Sequence, residues 1–101
     1  MSKTIEKLVK TIRSRKGSDI KSSYTALLLS MGNDLCLNKL KEEVAELEDA
    51  IKNKKNTVHE TADVIYHLLV TLESADINFD DIIKELKKRD GTSGFDEKRN
   101  R

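Results

Sequence analysis

Apolar residues recur along this chain at spacings of three and four, and five stretches with this pattern predict five helices. Successive helical residues are about 100° apart, so such spacing lines up one apolar face. The first stretch shows it with Ile5, Leu8, Val9 and Ile12. Counting caps, the predicted helices span residues 2–15, 24–31, 33–52, 57–75 and 78–89. Ser23, Asn33 and Asn78 are the expected N-caps, and Gly32 the expected stop of the second helix.

The last three stretches carry the most regular apolar faces. The third has a repeating set at Leu37, Leu40, Val44, Leu47 and Ile51. Such a set is typical of a helix that packs along a partner helix. The fourth stretch is apolar over a wider sector, which predicts the central helix. The expected buried set of the fifth is Phe79, Ile82, Ile83 and Leu86.

Composition supports an all-α fold. The 101 residues include no proline and four glycines, and aromatic residues make up 4%. Nothing therefore interrupts the helical backbone, and few side chains favour a pleated sheet. A chain of this length fits one core. We expect a single all-α domain over residues 1–90 and a flexible tail over 91–101.

Charge and apolar runs limit the classes of function. Nineteen basic residues nearly cancel 18 acidic ones, leaving +1, which argues against binding nucleic acid by bulk charge. No apolar run approaches the roughly 20 residues of a membrane span, and the N-terminus lacks a secretion signal. We expect a cytoplasmic protein. The one cysteine, Cys36, cannot form an internal disulfide and is expected to be a small buried side chain.

Five acidic residues fall within residues 42–49, with no basic residue among them. Glu43 and Glu46 share one side of the third predicted helix, and Glu60 and Asp63 have the same spacing on the fourth. Two antiparallel helices would bring these carboxylates together. Two such charges about 4 Å apart repel by roughly 4 kcal/mol at an effective dielectric near 20, so a cation is expected among them. Mg²⁺ fits best, because it prefers oxygen ligands.

Other interpretations of the same residues stay open. The acids could form a solvated face that pairs with Lys39, and Thr57 with Glu60 matches a capping box. Zinc is disfavoured, because His59 and His67 are eight residues apart. His67 falls on the side of Glu60, either as a hydrogen-bond donor beside a metal site or as a structural histidine.

The acidic motifs Glu42-Glu43-x-x-Glu46 and Glu60-x-x-Asp63 resemble the signature of MazG-type all-α nucleotide pyrophosphatases. Further segments narrow the resemblance to the phosphoribosyl-ATP pyrophosphatase family. They are Thr11-Ile12, Arg15-Lys16, Ser23-Tyr24-Thr25, Leu28, Gly32, Lys39 and Ala62-Asp63-Val64-Ile65-Tyr66-His67-Leu68-Leu69-Val70. The resemblance covers about residues 5–89.

The resemblance implies a MazG-like bundle of four to five helices, completed by dimerisation into a homodimer or a larger homo-oligomer. It also implies Mg²⁺-dependent hydrolysis of phosphoribosyl-ATP to phosphoribosyl-AMP and pyrophosphate, the second step of histidine biosynthesis. The implied metal ligands are Glu43, Glu46, Glu60 and Asp63. The implied catalytic residues are Glu42 and Glu43, with Glu42 binding the metal through water or orienting the attacking water. The implied substrate contacts are Arg15, Lys16, Ser23, Tyr24, Thr25, Lys39 and His67.

Three rival functions remain. The closest is a MazG-like pyrophosphatase that acts on another nucleoside triphosphate with the same acids. A second is a helical interaction module that uses the apolar set from Leu37 to Ile51 for dimerisation. A third, a nucleic-acid binder, would use the net +5 of residues 1–21. This function is disfavoured because no aromatic residues lie among these lysines and arginines. In an enzyme, the same lysines and arginines would complement the negative charge of substrate phosphates.

Overall fold

A computed structural model describes residues 2–91 and 94, and residues 2–91 contain five helices. Their bounds are Lys3–Arg15 (α1), Tyr24–Ser30 (α2), Asn33–Asn53 (α3), Thr57–Ser74 (α4) and Phe79–Arg89 (α5). Each bound lies within one or two residues of the prediction, and the described part contains no strand. The all-α prediction is confirmed. The predicted flexible tail lies almost wholly outside the described residues.

Side-chain caps begin the helices largely as predicted. Ser23 Oγ accepts from the backbone N–H of Ala26 at the start of α2, and Asn78 plays the same role for α5. The prediction for Asn33 is wrong. Gly32 is the N-cap of α3, with φ 86°, a conformation that costs glycine little because it has no Cβ. The side chain of Asn33 instead accepts from Ser74 Oγ at 2.6 Å, which ties α3 to α4.

The core lies where α4 meets the first three helices. α4 contacts α1, α2 and α3, which confirms its predicted central place. The core cluster consists of Ile12, Leu28, Cys36, Leu69 and Val70. Cys36 is 2% exposed and confirms the prediction of a small buried side chain. No helix of the described part has both the length and the apolar character that crossing a membrane requires.

Two predicted buried sets are wrong in part. On α3, Leu40 and Leu47 are half-buried, but Leu37, Val44 and Ile51 are exposed, because the smaller Cys36 and Ala50 take the fully buried positions. None of the apolar residues of α5 is buried, and Leu86 is 48% exposed. The reason is that α5 makes few contacts with the other helices.

Candidate metal centre

α3 and α4 form an antiparallel pair whose register is fixed by side-chain hydrogen bonds. These bonds join Ser74 to Asn33, Thr71 to the carbonyl of Cys36, and Thr57 to the carbonyl of Ala50. Residue numbers that decrease along α3 are therefore matched by residue numbers that increase equally along α4. This register sets Glu46 level with Glu60 and Glu43 level with Asp63, to within one residue.

The predicted metal ligands come together in two overlapping groups. Glu43, Glu46 and Glu60 each offer an oxygen, and these atoms lie within 4.8 Å of one another. Glu60 also belongs to a second group of the same kind, with Asp63 and His59. We call Glu43, Glu46, Glu60 and Asp63 the carboxylate cluster. Glu42 lies outside both groups.

Two oxygens of the carboxylate cluster are buried without a hydrogen-bond partner, Glu43 Oε2 and Glu60 Oε2. A buried acceptor left unpaired is costly, and native structures contain few of them. The pKa values of Glu43 and Glu60 both lie above their usual range, chiefly because burial disfavours the charged form. The neighbouring Glu46 raises both further, and His67 lowers that of Glu43. A divalent cation would supply the missing partner, so these residues fit a metal.

The capping-box interpretation of Glu60 is wrong. Asn56 is the N-cap of α4, with φ 58°, and Thr57 is already the first helical residue. The N–H of Glu60 bonds to the carbonyl of Asn56 and not to Thr57 Oγ1, which donates to the carbonyl of Ala50. The carboxylate of Glu60 is therefore free for another role.

Lys39 and Glu42 lie beside the carboxylate cluster on α3. Lys39 Nζ is 3.3 Å from Glu42 Oε2, and the Glu42 side chain is 62% exposed. This pair confirms the predicted contact of Lys39 with an acid on the next turn. Exposed pairs of this kind contribute little to stability, so Lys39 can exchange Glu42 for another anion at low cost.

The start of α2 joins the same region through α4. Partial burial raises the pKa of the Tyr24 phenol, while Lys39 opposes the shift and Glu43 adds to it. His67 Nδ1 lies 2.9 Å from the carbonyl oxygen of Asp63. A carbonyl only accepts, so Nδ1 donates this bond, and Nε2 lies 3.2 Å from the Tyr24 hydroxyl oxygen. Thr25 is hydrogen-bonded to the Tyr66 hydroxyl.

The basic residues of α1 lie away from the carboxylate cluster. Lys16 Nζ is 3.3 Å from Asp76, and Arg13 Nε is 3.2 Å from Glu73 at the end of α4. Glu73 is ten residues beyond Asp63, about 15 Å along the helix axis. Arg15 is exposed in the last turn of α1. The structure thus links Tyr24 and His67 to Asp63 of the cluster, joins Thr25 to Tyr66, and pairs Lys16 with Asp76 beyond the far end of α4.

Sequence reasoning missed two neighbours of the cluster. His59 Nε2 is 3.3 Å from Asp63 Oδ2, and the i, i+4 spacing of these residues was the signal that could have found it. Lys55, in the turn between α3 and α4, helps line an open depression of about 280 Å³ that also reaches Glu46 and Glu60. Lysines are common beside acidic residues in turns, so the spacing of Lys55 gave no indication that it lines this depression.

Known proteins point to one family. Residues 5–90 match the family model described as Phosphoribosyl-ATP pyrophosphohydrolase. The chain belongs to the phosphoribosyl-ATP pyrophosphohydrolase family. A protein of Rhodobacter capsulatus named phosphoribosyl-ATP pyrophosphatase is 44% identical over 96 residues, which cover 93% of each chain. A protein of the same name from Jannaschia sp. is 44% identical over 99 residues, 96% of this chain and 97% of that one.

A third relative carries the same name. The phosphoribosyl-ATP pyrophosphatase of Dechloromonas aromatica is 44% identical over 99 residues, 96% of this chain and 92% of its own. Membership of the phosphoribosyl-ATP pyrophosphohydrolase family confirms the resemblance identified from the acidic motifs. The matched range contains the whole carboxylate cluster and all the predicted substrate contacts.

Proposed function

We propose that this chain hydrolyses phosphoribosyl-ATP to phosphoribosyl-AMP and pyrophosphate, with Mg²⁺ held by the carboxylate cluster. Family membership supports the reaction and the substrate. The observation that carries the metal is the pair of buried, unpartnered oxygens on Glu43 and Glu60. Carboxylate oxygens are the protein ligands that Mg²⁺ prefers where it also binds substrate phosphates.

Each residue near the cluster has a proposed part in the reaction. Bound Mg²⁺ would neutralise charge on the phosphate oxygens and lower the pKa of a bound water. Glu43, Glu46, Glu60 and Asp63 hold the ion. Glu42 orients the attacking water from the exposed edge of the cluster, and Lys39 leaves its pairing with Glu42 to bind a phosphate.

The start of α2 is the proposed contact for the rest of the substrate. Tyr24 is 52% exposed, so one side of its ring is open to a ligand while its hydroxyl is held by His67. The hydroxyls of Ser23 and Thr25 are the proposed neighbouring contacts. Ser23 uses Oγ as an acceptor in the α2 cap, which leaves its O–H available to donate. Arg15 and Lys16 would bind phosphates that extend beyond the cluster.

A second copy of this chain is the proposed partner of an exposed apolar stripe, formed by Leu37, Val44 and Ile51 of α3 with Val58 and Ile65 of α4. All five side chains are exposed, Val58 to 86%. The α3 residues are spaced by seven, as are the two of α4, the repeat typical of helices that pack along each other. Two α3–α4 pairs facing each other would bury the stripe in a four-helix arrangement.

The depression beside Glu46 and Glu60 is too small to enclose the substrate by itself. It measures about 280 Å³ and is open to solvent. Pockets for drug-sized ligands are usually about 300–1,000 Å³, and phosphoribosyl-ATP is larger than most such ligands. The apolar stripe does not line this depression, so a second copy packed on the stripe would leave it open, and we propose that the rest of the substrate extends along the surface toward the start of α2.

The direct test measures pyrophosphate released from phosphoribosyl-ATP, with Mg²⁺ and with chelator. We expect release only with Mg²⁺. The same assay with dCTP and dUTP tests the rival substrate class. Turnover of either at a rate that matches phosphoribosyl-ATP would contradict the proposed substrate and leave the metal assignment standing.

A further inference from the structure

His59 adds a nitrogen donor to a group otherwise built from carboxylates. Its Nε2 lies 3.3 Å from Asp63 Oδ2, and ligand atoms of His59, Glu60 and Asp63 all lie within 4.8 Å of one another. His59 and Asp63 are four residues apart on α4, which puts both on one face of the helix. The side chain of His59 is 72% exposed, so it can turn toward an ion without disturbing the core.

A simple surface ion pair does not account for this arrangement. An exposed pair such as His59 with Asp63 is worth little by itself. Glu60, the third member of the group, has one oxygen that is buried without a partner. Its carboxylate therefore lacks a positive neighbour, while His59 and Asp63 each offer a ligand atom within 4.8 Å of one of its oxygens.

We propose that His59, Glu60 and Asp63 bind a divalent transition ion of borderline softness, with His59 Nε2 as its nitrogen ligand. This inference rests on the proposed function, because Glu60 and Asp63 also belong to the carboxylate cluster. Carboxylates suit Mg²⁺ and Mn²⁺. An imidazole favours the later divalent ions of the first transition row, such as Co²⁺. The metal centre of this chain therefore accepts Co²⁺ more tightly than an all-carboxylate site would.

The test compares the full-length parent with His59→Gln in calorimetric titrations of Co²⁺ and of Mg²⁺, without substrate. Glutamine keeps a polar side chain of similar length at an exposed position, so the fold should be unchanged. We expect Co²⁺ affinity to fall by about tenfold or more in His59→Gln. The affinity for Mg²⁺ should change by less than about twofold, because Mg²⁺ gains little from imidazole.

A spectroscopic measurement gives a second readout. Cu²⁺ favours imidazole ligands and is paramagnetic, so pulsed EPR of the Cu²⁺-loaded parent should show coupling to an imidazole nitrogen, and His59→Gln should lose it. The chain has two histidines, and His67 is present in both proteins. Loss of the coupling therefore assigns the nitrogen to His59. Unchanged coupling together with unchanged Co²⁺ affinity would overturn the proposal.

Glu60→Gln separates the proposed group from a surface chelate. If His59 and Asp63 alone bind Co²⁺, this variant binds it as tightly as the parent does, and that result also overturns the proposal. A wrong proposed function would give a different result. No ion would support release of pyrophosphate from phosphoribosyl-ATP, but Co²⁺ would still bind more tightly to the parent than to His59→Gln.

Discussion

The carboxylate cluster and the apolar stripe lie on opposite sides of the same two helices. Glu46 and Val44 on α3 are two residues apart, as are Glu60 and Val58 on α4, and two residues correspond to about 160° around a helix axis. One side leaves buried oxygens without partners. The other leaves large apolar side chains in water.

The carboxylate cluster and the apolar stripe need different kinds of partner. Glu43, Glu46 and Glu60 each offer an oxygen within 4.8 Å of the others, so the proposed ion could take its ligands from one α3–α4 pair. The apolar stripe runs along most of α3 and the first half of α4, and burying it needs another protein surface. One α3–α4 pair can thus supply all the proposed metal ligands, whereas the proposed burial of the stripe needs a second copy.

The largest expected effect is the loss of catalysis when the cluster loses a ligand. Glu46→Gln should lower the rate of pyrophosphate release by about 1,000-fold, because metal stabilisation of charge is worth several kcal/mol. Without metal, this variant should fold at least as stably as the parent, since one like charge is removed. A pyrophosphate assay and a thermal melt check both results.

Glu48→Gln is the matched control for the cluster. Glu48 is an exposed neighbour on α3 that pairs with Lys52 at 3.4 Å, outside the metal groups. This variant should keep full activity. If Glu46→Gln retained as much activity as Glu48→Gln, the carboxylate cluster would not be the metal centre.

The next effect concerns the apolar stripe. Ile65→Lys should weaken dimerisation by about 100-fold or more, because an unpaired buried charge costs several kcal/mol and each 1.4 kcal/mol is tenfold in affinity. Sedimentation velocity over a range of concentrations measures the change. Leu86→Lys on α5, also an exposed apolar position, should leave the dimer intact. Equal dissociation of both variants would refute the stripe as the interface.

Metal binding should raise stability by a smaller amount. Mg²⁺ at ten times its Kd stabilises the folded state by about 1.4 kcal/mol, if it binds that state alone. For a domain of this size, the melting temperature should rise by roughly 8 °C. Differential scanning calorimetry with and without Mg²⁺ measures the shift. Glu46→Gln should show little of it, and an equal shift in that variant would place the ion elsewhere.

The sequence predicts local structure well, because helix periodicity and caps depend on neighbouring residues. The N-cap of α3 shows the limit. Asn33 is a good cap by type, but its side chain bonds to Ser74, 41 residues away. Glycine at position 32 takes the cap instead. Contacts between distant residues decided the outcome, and the local pattern does not contain them.

Burial shows a similar limit. Periodicity marks an apolar face but does not say whether this chain or another covers it. Cys36 and Val44 belong to the same helix, yet Cys36 is 2% exposed and Val44 49%. The spacing of acids predicted the carboxylate cluster. It could not show which oxygens are buried without partners, because that depends on how tightly α3 and α4 pack.

The smallest effect is a dependence of stability on pH in the absence of metal. The folded-state pKa values of Glu43 and Glu60 lie above their usual value, chiefly because of burial. The folded state therefore holds these protons more tightly than the unfolded chain does. The resulting stabilisation is fully present below the unfolded pKa, near 4.5, and is lost as the pH rises through the raised values.

In chelator, the parent should lose more stability than Glu43→Gln between about pH 4.5 and neutrality, because glutamine does not titrate. Thermal melts of both proteins across this range measure the difference. Parallel curves would mean that Glu43 is as well solvated in the folded state as in the unfolded one. With saturating Mg²⁺ the sign should reverse, because the ion binds the charged carboxylates and competes with protons.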